Sequence, residues 1–252
     1  TASAEPGLPP ALADAVARDL GLTPQQFLDR ADAARRLADF TDTVGSDGVT
    51  NAWLDGDGRP VVAVADGPTR ADVVDAASAS GFEVDAAPIV IPPAVFDAVQ
   101  PLLDLLPFDP SPTAGPIRAS SYLGGDSFLA GTPAGLGQRC SLGFNAVDPT
   151  HGSVNITAGH CNPSTTDTGS ATVDPIVGAP VCKSGSRTGF SCGTILSTGQ
   201  HVVLGDNVLD RGFSTSICAL RGDSGGPVVS GTLAVGIASA SNVGDQPSCE
   251  VA

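Results

Sequence analysis

Arg221-Gly222-Asp223-Ser224-Gly225-Gly226-Pro227 sets a serine among glycines, and Thr157-Ala158-Gly159-His160-Cys161 lies upstream. Together these segments offer a nucleophile and a base for acyl transfer. A neutral His160 can take the Ser224 proton and return it to a leaving group. Gly222 permits a backbone shape in which its own amide and that of Ser224 point at one position. Two such amides form an oxyanion hole for a developing negative charge. Gly225 and Gly226 let other backbone pack close behind the serine. Asp223 is expected to make a buried internal ion pair or amide contacts and not to be the triad acid. Taken singly, the glycine-rich segment could be a tight turn and the histidine a structural one. Their joint presence favours chemistry, with Cys161 able to pin the histidine turn through a disulfide.

A histidine base also needs an acid at its far nitrogen to fix its tautomer. Asp167 and Asp174 are the only acids between His160 and Cys182. Asp174 is the better placed, because Ala171-Thr172-Val173 can form a strand. Neither has a clear claim, so the third catalytic position stays open at this point.

The 252 residues suit one or two domains. Most of the net charge of -15 lies before Pro116. Lys and Arg form no cluster, which argues against a nucleic-acid partner. The longest apolar stretch, around Ile89-Val90-Ile91, is far too short for a membrane span. No signal peptide is visible, consistent with a chain that starts after its removal. All six cysteines, Cys140, Cys161, Cys182, Cys192, Cys218 and Cys249, fall in the second half. Their even count and wide spacing suit three disulfides formed in an oxidising compartment, with the pairing left open. No CxxC pair exists and His151, His160 and His201 are scattered, so neither a metal nor a cofactor is expected.

The elements change character along the chain. Leu12, Val16 and Leu20 share one helical face, and Gly21 ends that run. Thr23-Pro24-Gln25-Gln26 reads as a capped second start, with Phe27, Ala31, Ala34 and Leu37 or Ala38 as its buried stripe. Val49 to Leu54 and Pro60 to Ala65 read as strands around an Asp55–Gly58 turn. A helix over Arg70 to Ser80 and a short strand over Phe82 to Ala86 complete a small α+β unit. Pro101 to Pro116 carries five prolines and reads as a linker. Its Leu102, Leu103, Leu105 and Leu106 are apolar enough to dock on a neighbouring surface. From Tyr122 onward, short strands alternate with close turns, the pattern of a β-sandwich or β-barrel. Candidate strands are Cys140 to Val147, Ser153 to Thr157, Gly193 to Leu196, Val202 to Leu204 and Leu233 to Ala238.

Several segments, taken in order, resemble the bacterial chymotrypsin-like serine proteases of the streptogrisin and alpha-lytic protease group. They are Gly124-Gly125-Asp126, Cys140-Ser141-Leu142-Gly143-Phe144 and the His160 segment. Val181 to Gly189, Cys192-Gly193-Thr194-Ile195 and Cys218 through Pro227 follow. The resemblance runs over residues 122 to 249. It implies a mainly β fold, a chymotrypsin-like double antiparallel β-barrel preceded by a small α+β pro-domain. His160 takes the base position, Ser224 the nucleophile, and the amides of Gly222 and Ser224 the oxyanion hole. Cys140 is implied to pair with Cys161, Cys182 with Cys192, and Cys218 with Cys249. Lys183 stands where relatives carry an arginine that can pair with the buried aspartate, here Asp223. Arg18-Asp19-Leu20-Gly21-Leu22-Thr23 and the Trp53 to Asp66 strand pair are similar to the family's pro-region. In such relatives that region aids folding and inhibits by occupying the cleft. The implied division is therefore 1–116 as pro-region and linker and 117–252 as protease domain. Nothing near the boundary resembles the Ile-Val-Gly-Gly start of trypsin-like enzymes.

Two departures stand out. His160 and Ser224 are closer in sequence than two barrels normally require, so an acid-bearing segment is expected to be absent between 162 and 178. The resemblance likewise implies further residues after Cys249. Ser239, Ala240 and Ser241 fall in the segment that pairs with substrate backbone. Many relatives carry glycines where this chain has Ala240 and Ser241, so the pocket is expected to favour a small or medium apolar side chain. The implied activity is a secreted serine endopeptidase zymogen, extracellular or in the cell envelope. Its partners would be a peptide or protein substrate and its own pro-region. The alternative is a noncatalytic homologue that binds peptides or serves a structural role.

Overall fold

The computed structural model describes residues 7–45, 47–85, 123–131, 137–148, 152–161, 174–204, 207–242 and 247–249. The Leu102–Leu106 cluster, the linker and the boundary near 116 lie outside them, as does Asp167.

The chain starts with two helices, α1 (Pro10–Leu20) and α2 (Pro24–Val44). Gly21 ends α1 in a left-handed conformation, and its amide bonds the Ala17 carbonyl. The capping box opening α2 is complete. Thr23 Oγ1 accepts from the Gln26 amide at 3.2 Å, and Gln26 Oε1 accepts from the Thr23 amide at 2.9 Å. Phe27, Ala31, Ala34, Leu37 and Ala38 are buried along α2, as the stripe predicts. β1 (Val49–Leu54) and β2 (Pro60–Val64) form an antiparallel hairpin. α3 (Arg70–Ala79) then returns the chain to β3 (Glu83–Asp85), parallel to β2.

Among the described residues, the second half is β-structure apart from one 3₁₀ turn, Gly159–Cys161. β4 (Ser127–Gly131) pairs with β5 (Gly137–Ser141), and β6 (Phe144–Asp148) pairs with β7 (Gly152–Ile156). β8 (Pro180–Gly185), β9 (Gly189–Leu204), β10 (Asn207–Thr215), β11 (Pro227–Ser230) and β12 (Leu233–Ile237) form one curled sheet. Its order is β10-β9-β8-β11-β12. The result is a mainly β fold with a half-barrel sheet and a small helical region.

Some strand expectations shift. Cys140 to Val147 divides into β5 and β6, because the chain breaks at Leu142-Gly143. Gly193 to Leu196 and Val202 to Leu204 are parts of the single strand β9.

The two halves share a core. Leu37, Ala38, Val62 and Ala77 lie in one buried cluster with Val181, Ile195, Val228 and Val235. The backbone joins them too: Trp53 bridges Val177, and the Leu54 amide bonds the Val177 carbonyl at 2.8 Å. The apolar face of α1 contributes Leu12, Ala15 and Val16. With Phe27 of α2 they cover the Cys182 and Cys192 side chains of β8 and β9. A polar clamp flanks this contact. Asp19 Oδ2 accepts from the Cys192 amide at 2.8 Å, while Arg18 Nη2 donates to the Phe190 carbonyl at 3.0 Å. Arg18 and Asp19 also pair with each other, at 2.7 Å. Among the described residues, no helix is long and apolar enough to cross a membrane.

Asp19→Ala removes the acceptor for a strand amide and is expected to cost about 1–2 kcal/mol in urea unfolding. Asp19→Asn keeps an acceptor oxygen and should cost less. Equal stability of all three proteins would show that the clamp does not hold the helix to the sheet.

Candidate active site

Ser224 sits half-buried in the loop between Leu220 and Pro227, which feeds β11. Three glycines shape that loop. Gly222 and Gly225 have φ values of 105° and 90°, which side-chain-bearing residues rarely adopt. A β-carbon on Gly225 would lie 2.2 Å from the Ser141 carbonyl, and one on Gly226 would lie 2.2 Å from that of Ser184. Backbone therefore does pack directly behind the serine. The amides alternate in their engagement. Those of Asp223, Gly225 and Gly226 bond the carbonyls of Leu220, Ala238 and Asp223 at 2.9, 2.7 and 3.0 Å. Among the described residues, those of Gly222 and Ser224 carry no such bond.

Asp223 anchors the loop from within. Its carboxylate is fully buried and lies 3.0 Å from Lys183 Nζ, itself 1 % exposed. Oδ1 accepts from the amides of Arg187 and Thr188 at 2.9 and 3.0 Å. Oδ2 accepts from the Leu220 amide at 2.9 Å and the Thr188 hydroxyl at 2.8 Å. Thr188 Oγ1 in turn accepts from Lys183. Burial alone would push the Asp223 carboxyl up. The charge of Lys183, the Leu220 amide and the Thr188 hydroxyl outweigh it and hold the group below the ordinary carboxylate range. Burial lowers the Lys183 ammonium, and Asp223 offsets this only in part. The difference follows from the donors: Asp223 collects three beyond Lys183 and Thr188 Oγ1, whereas Lys183 adds one hydroxyl to its ion pair. Asp223 is thus an internal ion-pair partner, as expected from the sequence.

The histidine segment is held against the same loop. The Cys140–Cys161 disulfide joins β5 to the 3₁₀ turn that contains His160. Cys161 Sγ, which has no hydrogen to donate, rests 3.8 Å from the Ser224 carbonyl. The Ser141 amide, next to Cys140, donates to that carbonyl at 2.7 Å. The Cys161 sulfur, next to His160 in the chain, therefore reaches the backbone of Ser224; the His160 side chain lies outside the described residues. Asp174 is exposed, just before Ile176. Ser239, Ala240 and Ser241 follow β12, where the Ala238 amide bonds the Gly226 carbonyl at 2.9 Å. The other disulfides are Cys182–Cys192, across β8 and β9, and Cys218–Cys249. All three are the pairs implied by the resemblance. No group of three or more His, Cys, Asp or Glu side chains is arranged to hold a metal among the described residues.

Comparison with known proteins gives the same direction. Streptogrisin-C of Streptomyces griseus is 45% identical over 64 residues, 25% of this chain and 14% of that protein. Streptogrisin-A of the same organism is 30% identical over 161 residues, 46% of this chain and 50% of that protein. Over these segments the chain is similar to bacterial chymotrypsin-like serine proteases. Serine protease 1 of Rarobacter faecitabidus is 45% identical over 67 residues, 27% of this chain and 13% of that protein. The chain spans half or less of the length of the curated relatives it matches. No family model matches. Sequence reasoning missed Ser141, Ser186 and Thr188, whose hydroxyls meet the Ser224 loop. They lie in segments legible by resemblance, but a hydroxyl's partner has no signature in spacing.

The depressed Asp223 carboxyl contributes stability that is full above the ordinary carboxylate range, about pH 4, and is lost as pH falls through its folded value. Asp223→Asn is expected to unfold with about 3–5 kcal/mol less stability at pH 7. The gap from the parent protein should narrow on acidification. Urea unfolding across the acid range measures it, and a gap that stays constant with pH would contradict the assignment.

Proposed function

We propose that the chain is a secreted serine endopeptidase made as a zymogen. The observation that carries this reading is the alternation of amides around Ser224. Asp223, Gly225 and Gly226 spend theirs inside the protein, while Gly222 and Ser224 have no backbone acceptor among the described residues, on either side of a carboxylate-anchored turn. That is the donor arrangement a tetrahedral acyl-transfer intermediate requires.

In this mechanism Ser224 Oγ attacks the scissile carbonyl and His160 takes its proton. The amides of Gly222 and Ser224 receive the oxyanion. Collapse breaks the peptide C–N bond as His160 protonates the leaving amine. Water, activated by the same imidazole, then hydrolyses the Ser224 ester and frees the enzyme. An acid at the far nitrogen of His160 would hold its tautomer; Asp174, preceded by a candidate strand, is the better-placed of the two acids that follow it before Cys182. Ser239, Ala240 and Ser241 would pair with substrate backbone, with the β-carbons of Ala240 and Ser241 favouring small or medium apolar side chains.

Residues 117–252 would form the two-barrel protease and residues 1–116 its pro-region. The packing of α1 and α2 on β8 and β9 supports an intramolecular partnership. The names of two relatives, a serine protease and a glutamyl endopeptidase, support peptide hydrolysis. A noncatalytic homologue is the second reading, favoured by the short interval between the histidine and serine segments.

A fluorophosphonate probe separates the two. We expect covalent label on Ser224 in the processed protein, abolished by Ser224→Ala and strongly reduced by His160→Ala. Processed protein with both residues intact and no label would leave the noncatalytic reading standing.

A further inference from the structure

Two hydroxyls converge on one carbonyl beside the nucleophile. Ser141 Oγ donates to the Gly222 carbonyl at 2.8 Å, and Ser186 Oγ donates to the same oxygen at 2.8 Å. The Ser186 amide donates to Ser141 Oγ, also at 2.8 Å, so the two residues orient each other. Ser141 is fully buried, and every polar group it carries is used. Its amide bonds the Ser224 carbonyl at 2.7 Å, and its carbonyl accepts from Thr157 Oγ1 at 3.0 Å. One residue thus grips the carbonyls on both sides of Asp223.

The consequence follows from peptide planarity. The Gly222 carbonyl and the Asp223 amide belong to one rigid plane. Its oxygen is held by two hydroxyls and its N–H by the Leu220 carbonyl at 2.9 Å. A plane pinned at both ends cannot rotate. Gly222, lacking a β-carbon, has no intrinsic preference for its φ of 105°. The amides of Gly222 and Ser224, on the planes either side, take their direction from the pinned plane between them.

We infer that Ser141 and Ser186 are positioning residues for the oxyanion hole, acting through the Gly222 carbonyl. This rests on the proposed acyl-transfer function. Neither hydroxyl touches substrate. Each fixes the backbone from which the two donors point.

The test pairs a small activated ester with its thiono twin, in which sulfur replaces the carbonyl oxygen. Sulfur is a poor hydrogen-bond acceptor, so the oxo-to-thiono rate ratio reports how well the hole is aimed. Loss of folded protein lowers both rates equally. The proteins are expressed as the full chain and allowed to process. Ser141→Ala and Ser186→Ala are expected to slow Ser224 acylation by the oxo ester at least about tenfold. The thiono rate should change little, so the ratio collapses. Ser186→Thr keeps a hydroxyl and is expected to restore the ratio. Ser186 is only half-buried, so its variants serve even if Ser141→Ala does not fold. Equal loss on both esters, or no loss, would overturn the positioning role. A parent protein that acylates with neither ester would overturn the underlying function, and the inference with it.

Discussion

A charged pair removed from water sets the local order of this fold. Lys183 and Asp223 are buried together on β8 and the loop that bears Ser224. Desolvating two such ions costs several kcal/mol each, and attraction alone does not reliably offset it. Here the carboxylate also receives three backbone amides and a hydroxyl. Those donors come from the β8–β9 turn and from the loop itself. The carboxylate therefore acts as a hub that ties a glycine-rich loop to a turn between two long strands. A loop with three glycines in five residues has no conformation of its own to fall back on.

The remaining connections converge on the same hub. Alternation along β8 sends adjacent side chains to opposite faces. Cys182 meets Cys192 and the helix α1 on one side, while Lys183 reaches Asp223 on the other. From the opposite direction, the Cys140–Cys161 disulfide and Ser141 bring the histidine turn onto the Ser224 backbone. The helical region thus braces the rear of the strand that anchors the serine loop. This gives a physical reason for residues so distant in sequence to form one core.

The helical region was largely legible from sequence because its signals are local. The Thr23–Gln26 box and the Gly21 stop mark ends, and the apolar stripe marks a face. Strands were less legible. β8 reads as polar because its central Lys183 is buried with a partner 40 residues later. Ser197 to Gln200 resembles a turn but continues β9, and Asp210-Arg211-Gly212 breaks the alternation inside β10. At the site, Ser224, Gly222 and Asp223 announce themselves through residue type and spacing. Ser141 and Ser186 do not, since a serine's burial and bonding depend wholly on what the fold brings to it.

The central claim is that Lys183 and Asp223 act as one structural unit. A double-mutant cycle in urea unfolding at pH 7, using Lys183→Met, Asp223→Asn and both together, tests it most directly. The account predicts that the double variant is no less stable than the worse single one, with a coupling of about 2 kcal/mol or more. Losses that simply add would contradict it, because they would mean that the two charges are stabilised independently.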